Sequence, residues 1–241
     1  MRVLVENYGI TDAVVVPIER GHTNRSFAVT TSRGRFVLRQ SWAGKPVEQI
    51  AREEHVLGSL GLPWVPRIVA TRMGTLRAMV DGRVYHLFEA LPGEPGRMYL
   101  GPGDTRIVAT AMSRLRELHA ALPGWLHGDF HLGNLLWNGD VLTGVVDFDD
   151  AAPGPAEYEV AMALFALSRQ PDEDTFRYDH TLWHAGLASY GDVSIEPETH
   201  VRAFCEYQVR IHETAAARGL WHLTTGIGYW PCKRALMRSG A

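Results

Sequence analysis

The spacing of apolar positions along this chain changes near residue 90, and that change is the first guide to its architecture. Before it, apolar and β-branched residues fall in short alternating runs. Residues 13–19, 26–31 and 35–39 read as strands, with Ser32-Arg33-Gly34 as the turn between the last two. A helix follows: Pro46 stands where a first turn tolerates it, Val47, Ile50, Leu57 and Leu60 recur at helical spacing, and Gly61-Leu62-Pro63 ends the run. Residues 75–80 and 83–89, joined by Asp81-Gly82, predict a second hairpin. Leu91-Pro92-Gly93-Glu94-Pro95-Gly96 then interrupts regular structure, dividing a lobe over residues 1–90 from one over residues 91–241.

Beyond that break the period is mostly helical. Ile107, Ala111, Leu115, Leu118 and Leu122 mark one long amphipathic helix with Asp104 at its cap, and further helices are expected over 157–169, 175–188, 198–218 and 231–237. The exception is 135–147, where Asn138-Gly139 between two apolar runs signals a hairpin. No internal repeat or low-complexity tract is present.

Composition narrows the class. At 46% hydrophobic and 21% charged residues, 241 residues suit one large domain or two small lobes. The longest apolar stretch, residues 160–167, is too short to cross a bilayer, and the first residues lack the layout of a secretory signal. A cytoplasmic protein without membrane or nucleic-acid partners is expected. Cys205 and Cys232, the only cysteines, make no disulfide framework and read as buried thiols. The net charge of −3 conceals an asymmetry: residues 1–120 hold 16 Lys+Arg against 11 Asp+Glu, and residues 121–241 hold 8 against 16. Such a division suits an anionic cofactor on one side and metal ions or a cationic substrate on the other, and equally suits scattered solvated charges. Only Lys45 and Lys233 are lysines among the 24 basic residues.

The chemistry is concentrated in His127-Gly128-Asp129-Phe130-His131-Leu132-Gly133-Asn134, with Asp147 thirteen residues after Asn134 at the end of an apolar strand. Phosphoryl transfer needs a carboxylate to orient and deprotonate a hydroxyl, and hard oxygen ligands to hold magnesium against phosphates. HGDFHLGN followed by VVDFDD resembles the catalytic and metal-binding motifs of the aminoglycoside phosphotransferase, choline kinase and type II homoserine kinase group. The resemblance implies an α+β, bilobal protein-kinase-like fold: a small, mainly antiparallel β N-terminal lobe with one helix, and a larger helical C-terminal lobe. It also implies Asp129 as catalytic base, Asn134 and Asp147 as magnesium ligands, and ATP as phosphoryl donor, with GTP left open. His127 would brace the loop. His131 would brace it too or touch substrate, and Asp149, Asp150 and Glu157 join it as candidates on the acceptor side.

Upstream residues extend the match. In the kinase fold a basic residue on the third strand reaches the phosphates and is paired by a helix glutamate. Arg39 ends the third strand here, and Glu53 falls on the apolar stripe of the next helix, where an unpaired carboxylate is costly; Arg39 is its expected partner. The turn 21–26 offers backbone amides with Thr23, Asn24 and Ser26 as a phosphate cradle, an ordinary hairpin turn being the competing reading. Phe88, Glu89 and Leu91 occupy the place where a hinge would meet adenine. No Walker-type GxxxxGK[ST] is present.

Two departures matter. Glu159 replaces the aspartate usual in the later motif, and only seven residues separate His119 from His127, where aminoglycoside kinases insert further helices. The short connection suggests a protein or peptide kinase as one alternative, and a nucleotide-binding pseudokinase is another. The absence of HRD, DFG and APE segments favours a small-molecule kinase acting on an alcohol group of an aminoglycoside-like antibiotic, an amino alcohol or a related metabolite, cationic if the acidic half meets it. The oligomeric state is open. His180 and His184, His212-Glu213, and Asp172-Glu173-Asp174 read as ordinary surface or helix-start features.

Overall fold

A computed structural model describes residues 2–19, 24–173, 175–191, 193–217 and 229–238, which form two compact units. The first comprises Met1–Pro95, Ala121–Asp129 and Asn134–Pro153; the second comprises Gly96–Ala120, Phe130–Gly133 and Gly154–Ala241. The first unit thus extends past the break at 91–96 and takes back two later segments.

The first unit is organised by an antiparallel sheet in which β1 (Val14–Ile18), β2 (Arg25–Thr31), β3 (Gly34–Gln40), β5 (Arg83–Glu89) and β4 (Ala78–Val80) lie in that order. Strand side chains alternate between faces, so cross-strand partners share one. Phe27 opposes Leu38 and Leu38 opposes Leu87, and this face packs with Val29 and Ala78 into an apolar core. Ser26 opposes Arg39 and Arg39 opposes His86, which puts the polar groups on the other face. The core is closed by Val3, Leu4 and Tyr8 of α1 (Arg2–Tyr8), a helix that the sequence pattern did not predict because seven residues are too few to establish a period.

Between β3 and β4 runs α2 (Val47–Leu60), ended by Gly61 in the left-handed conformation at φ 57°. Ile50, Val56, Leu57 and Leu60 are buried along it, and so is Glu53. Two small sheets complete the unit. β6 (Glu94–Pro95), β8 (Leu135–Asn138) and β9 (Val141–Val145) form one, and β7 (Trp125–Leu126) pairs with β10 (Ala152–Pro153) in the other. The Val145 amide donates to the Trp64 carbonyl at 2.9 Å, fixing the end of β9 to the loop after α2.

The second unit is mainly helical: α3 (Thr105–Ala121), α4 (Ala156–Ser168), α5 (His180–Tyr190), α6 (Pro197–Ala217) and α7 (Tyr229–Arg238). Val108, Ala111, Met112, Leu115 and Leu118 form the buried stripe of α3. Asp104 precedes it, but its carboxylate turns back to the Gly101 amide at 2.6 Å while its carbonyl takes the first helical bonds. Gly186 of α5 permits close packing, since a Cβ there would meet Val108 and Leu164 at 2.7 Å. The helix expected over 175–188 begins later. β11 (Arg169–Asp172) pairs antiparallel with β12 (Thr175–Tyr178), and Asp179 caps α5 by accepting from the Thr181 and Leu182 amides. Phe176 faces the Phe165 ring at 5.0 Å and Tyr178 faces Trp183 at 5.9 Å, so packing outweighs helical tendency there. No helix among the described residues is long and apolar enough to cross a membrane.

Candidate active site

Arg39 emerges from the polar face of the sheet with its guanidinium 5.0 Å above the Phe88 ring, and its Nη2 donates to Glu53 Oε1. Glu53 therefore tolerates its apolar stripe because a cation reaches it. A second cation does so as well: Lys45 Nζ donates to Glu53 Oε2 at 3.1 Å and also to the Asp149 carboxylate. The Lys45 and Glu53 side chains are each 1% exposed. Burial works to raise the Glu53 carboxyl, but the attraction and hydrogen bond of Arg39, with Lys45 behind them, win and hold it below the usual range. Beside it Glu54 accepts from Arg77 at 2.8 Å and pairs with His86 Nε2 at 3.0 Å.

The loop 127–134 is built around a glycine that nothing can replace without movement. Gly128 has φ 88°, and a Cβ there would lie 2.2 Å from the Asp150 carbonyl oxygen. His127 is fully buried, tilted against Phe148 at 4.4 Å between ring centroids. Its Nε2 meets the Val146 carbonyl at 3.0 Å and its Nδ1 accepts from the Asp129 amide at 3.2 Å, an arrangement that places the ring proton on Nε2. One histidine thus links the loop to the end of β9. Asn134 forms the other link: its Nδ2 donates to the Asp129 carbonyl at 2.9 Å and to Asp129 Oδ2 at 3.0 Å, while its backbone carbonyl accepts from the Val146 amide at 2.9 Å. Asp129 itself is exposed.

Asp147 follows Val146 with φ 65°, in the left-handed region that few residues other than glycine enter. Its Oδ1 lies 3.5 Å from Arg39 Nη1, and its side chain is 47% exposed. Contacts of hydrogen-bonding range therefore connect Arg39 to Asp147, residue 146 to Asn134, and Asn134 to Asp129. Desolvation raises the Asp147 carboxyl, with Arg39 opposing and Asp149 adding to the rise. Asp150 is also raised, first by desolvation and then by the negative charges of Asp129, Asp149 and Asp147. Such a carboxylate cluster attracts a cation.

The donor set fits magnesium, which takes hard oxygens and commonly needs only one or two carboxylates from protein. Asn134 is oriented by its Nδ2 bonds to Asp129, and its Oδ1 accepts no hydrogen bond from the described residues. Asp147 offers a half-exposed carboxylate beside it in the chain of contacts. Among the described residues, no group of three or more His, Cys, Asp or Glu side chains is set to hold a metal unaided.

A family model described as the phosphotransferase enzyme family matches residues 14–123 and 103–193. The chain belongs to this family. Among solved structures it is similar to macrolide 2'-phosphotransferase MphH from Brachybacterium faecium, with a TM-score of 0.61 and 16% identity over 86% of this chain and 87% of that one. A thermostable mutant of aminoglycoside phosphotransferase APH(4)-Ia matches with a TM-score of 0.60 and 13% identity over 100% and 99% of the two chains. Spectinomycin phosphotransferase APH(9)-Ia, in complex with ADP and spectinomycin, matches with a TM-score of 0.57 and 11% identity over 98% and 97%. These likenesses establish the protein-kinase-like fold. No curated protein gives a significant match to the sequence.

The remaining candidates of this phosphotransferase are distributed as follows. Thr23 lies outside the described residues. The Asn24 side chain accepts from the Trp42 amide at 3.2 Å, and Ser26 stands opposite Arg39 on the polar face. Phe88 is buried beneath Arg39, which gives it a packing task in addition to any hinge contact. The Glu89 amide is engaged by the Arg67 carbonyl and the Ala90 amide by that of Arg35; Leu91 packs where Gly144 leaves no room for a Cβ. His131 and Glu157 belong to the second unit, where His131 Nδ1 accepts from the Gly133 amide at 3.0 Å and Glu157 is exposed in the first turn of α4.

The Asp149 carboxylate is occupied by Lys45, with Arg39 Nη1 at 3.8 Å. Sequence reasoning missed Lys45, Gln49, Glu54 and His86. The available signal for Lys45 was its rarity in an arginine-rich chain; the pairing with Asp149 spans 104 positions and leaves no local pattern.

Proposed function

We propose that this phosphotransferase moves the γ-phosphoryl group of ATP to a hydroxyl of a small molecule, with Asp129 as general base. The observation that carries the reading is the connection of an exposed Asp129, through Asn134 and residue 146, to Asp147 and the Arg39–Glu53 pair. A base needs a carboxylate that is accessible and held in one orientation, and the Asn134 Nδ2 bond at 3.0 Å supplies the hold. Arg39 would position the nucleotide phosphates, its Nη1 edge lying toward Asp147 while Glu53 anchors Nη2. Asn134 and Asp147 would hold magnesium, which when bound offsets phosphate charge and orients the transferring group. Residues 1–90 would serve as the nucleotide-binding lobe and residues 91–241 would carry the catalytic loop and build the acceptor pocket.

The acidic second half of the chain and the likeness to macrolide and aminoglycoside phosphotransferases support as acceptor an antibiotic of either type, an amino alcohol or a related metabolite. Purified protein incubated with magnesium-ATP and panels of aminoglycosides, macrolides, amino alcohols, sugars and peptides should give ADP and a phosphoryl mass gain on a small molecule. Label appearing on polypeptides alone would replace this reading with a protein kinase. No ADP across the panels would replace it with a nucleotide-binding scaffold.

A further inference from the structure

We infer that Lys45 is a positioning residue for the metal-binding carboxylate: by holding Asp149 it fixes the turn that presents Asp147. The inference rests on the reading of Asp147 as a magnesium ligand. A left-handed aspartate costs on the order of 1 kcal/mol or more and persists only where its surroundings impose it. Residue 147 is imposed upon from both sides. Before it, Val146 is pinned by its amide to the Asn134 carbonyl at 2.9 Å and by its carbonyl to His127 at 3.0 Å. After it, Phe148 is buried against His127, and Asp149 is held twice by the α2 region. Gln49 Nε2 donates to the Asp149 carbonyl at 2.9 Å, and Lys45 Nζ donates to its carboxylate.

The ammonium is an internal tether. Its side chain is 1% exposed, and two of its three donors go to Glu53 and Asp149, so it presents no surface to a phosphate. Arg39 differs in lying 3.5 Å from the half-exposed Asp147. Glu53 thus joins the two cations, taking Arg39 on one oxygen and Lys45 on the other, and ties the phosphate-facing group to the turn carrying the metal ligand. Groups that orient metal ligands typically matter by 10- to 100-fold in metal affinity.

The test is calorimetric titration with ADP, once with magnesium and once with EDTA, on the parent, Asp147→Ala, Lys45→Met and Gln49→Ala. Lys45→Met should lose at least about 10-fold of the magnesium-dependent gain while its affinity in EDTA stays within about 2-fold. Gln49→Ala, on a half-buried residue, should lose a few-fold in the same sense. An unaltered magnesium-dependent gain in Lys45→Met overturns the inference, and so does an equal loss with and without magnesium. If Lys45→Met does not fold, Gln49→Ala decides by the same criterion. A parent indifferent to magnesium, or an unaffected Asp147→Ala, sinks the reading of Asp147 itself; a responsive parent and Asp147→Ala with an unaffected Lys45→Met sinks the inference alone.

Discussion

Each unit of this phosphotransferase buries a polar cluster, and the two clusters end differently. In the first unit two cations, Arg39 and Lys45, face three carboxylates, Glu53, Asp147 and Asp149, and the series ends at an Asp147 that is 47% exposed. In the second unit the Tyr190 hydroxyl lies 2.8 Å from His119 Nδ1, and His119 Nε2 lies 2.8 Å from Glu159 Oε2, all three residues being buried. One cluster carries an excess of negative charge toward an open edge; the other runs from buried group to buried group. Buried ion pairs are weak sources of stability, so a charged cluster with an open edge is better explained by what it will bind. Three buried side chains joined by hydrogen bonds need no such explanation, because buried networks of this kind rigidify a core. Glu159 is engaged there by His119.

Variants can break that contrast. Asp129→Ala should lower kcat by roughly 10² to 10⁴, the range for a lost general base, with magnesium-nucleotide affinity largely kept; unchanged turnover in a steady-state assay would remove Asp129 from the role. Glu53→Ala removes the more deeply buried of the two carboxylates that Arg39 and Lys45 share, leaving them only Asp149 in common. It should destabilise the protein by about 3 to 5 kcal/mol in urea denaturation and abolish transfer as well. Stable, active Glu53→Ala would mean that the first cluster is incidental.

The second cluster should respond otherwise. Tyr190→Phe keeps the ring and leaves His119 Nδ1 without its hydroxyl, costing about 1 to 3 kcal/mol in the same denaturation experiment. Specific activity per folded molecule should stay within about 2-fold. A large fall in kcat at unchanged stability would move Tyr190 into the acceptor site and erase the distinction between the clusters.

The two clusters also differ in how far they can be read from the chain. Glu53 was legible because a carboxylate on the stripe of Ile50 and Leu57 demands a partner, and Arg39 ends the neighbouring strand. Gly128 belongs to a recognisable motif, and the structure supplies its reason in the Asp150 carbonyl. Lys45 was not legible, since its contact with Asp149 is made by the fold and by no local spacing. The same holds for His119, Glu159 and Tyr190, which meet from α3, α4 and α5. Among elements, long periodic segments such as α2 and α3 were plain, whereas α1 was too short, and 175–178 became a strand through its aromatic contacts.

Glu54 offers the finest test, because it is charged and adjacent to Glu53 yet makes its contacts with Arg77 and His86 and not with Arg39. Its carboxyl lies below the ordinary value although burial works to raise it, the hydrogen bond of His86 and the charge of Arg77 prevailing. A carboxyl lowered in the folded state stabilises the fold above its unfolded value, about 4.3 for glutamate, and that contribution fades as pH falls through the lower folded value. Glu54→Gln removes the titration, so its stability should decline less steeply than the parent's below roughly pH 4.3. At neutral pH the cost should be about 1 kcal/mol or less, the pair being partly open to solvent through Arg77. Turnover should change little. If Glu54→Gln instead lost activity as Glu53→Ala is expected to, negative charge on α2, and not the seat of Glu53 between two cations, would be what the site requires.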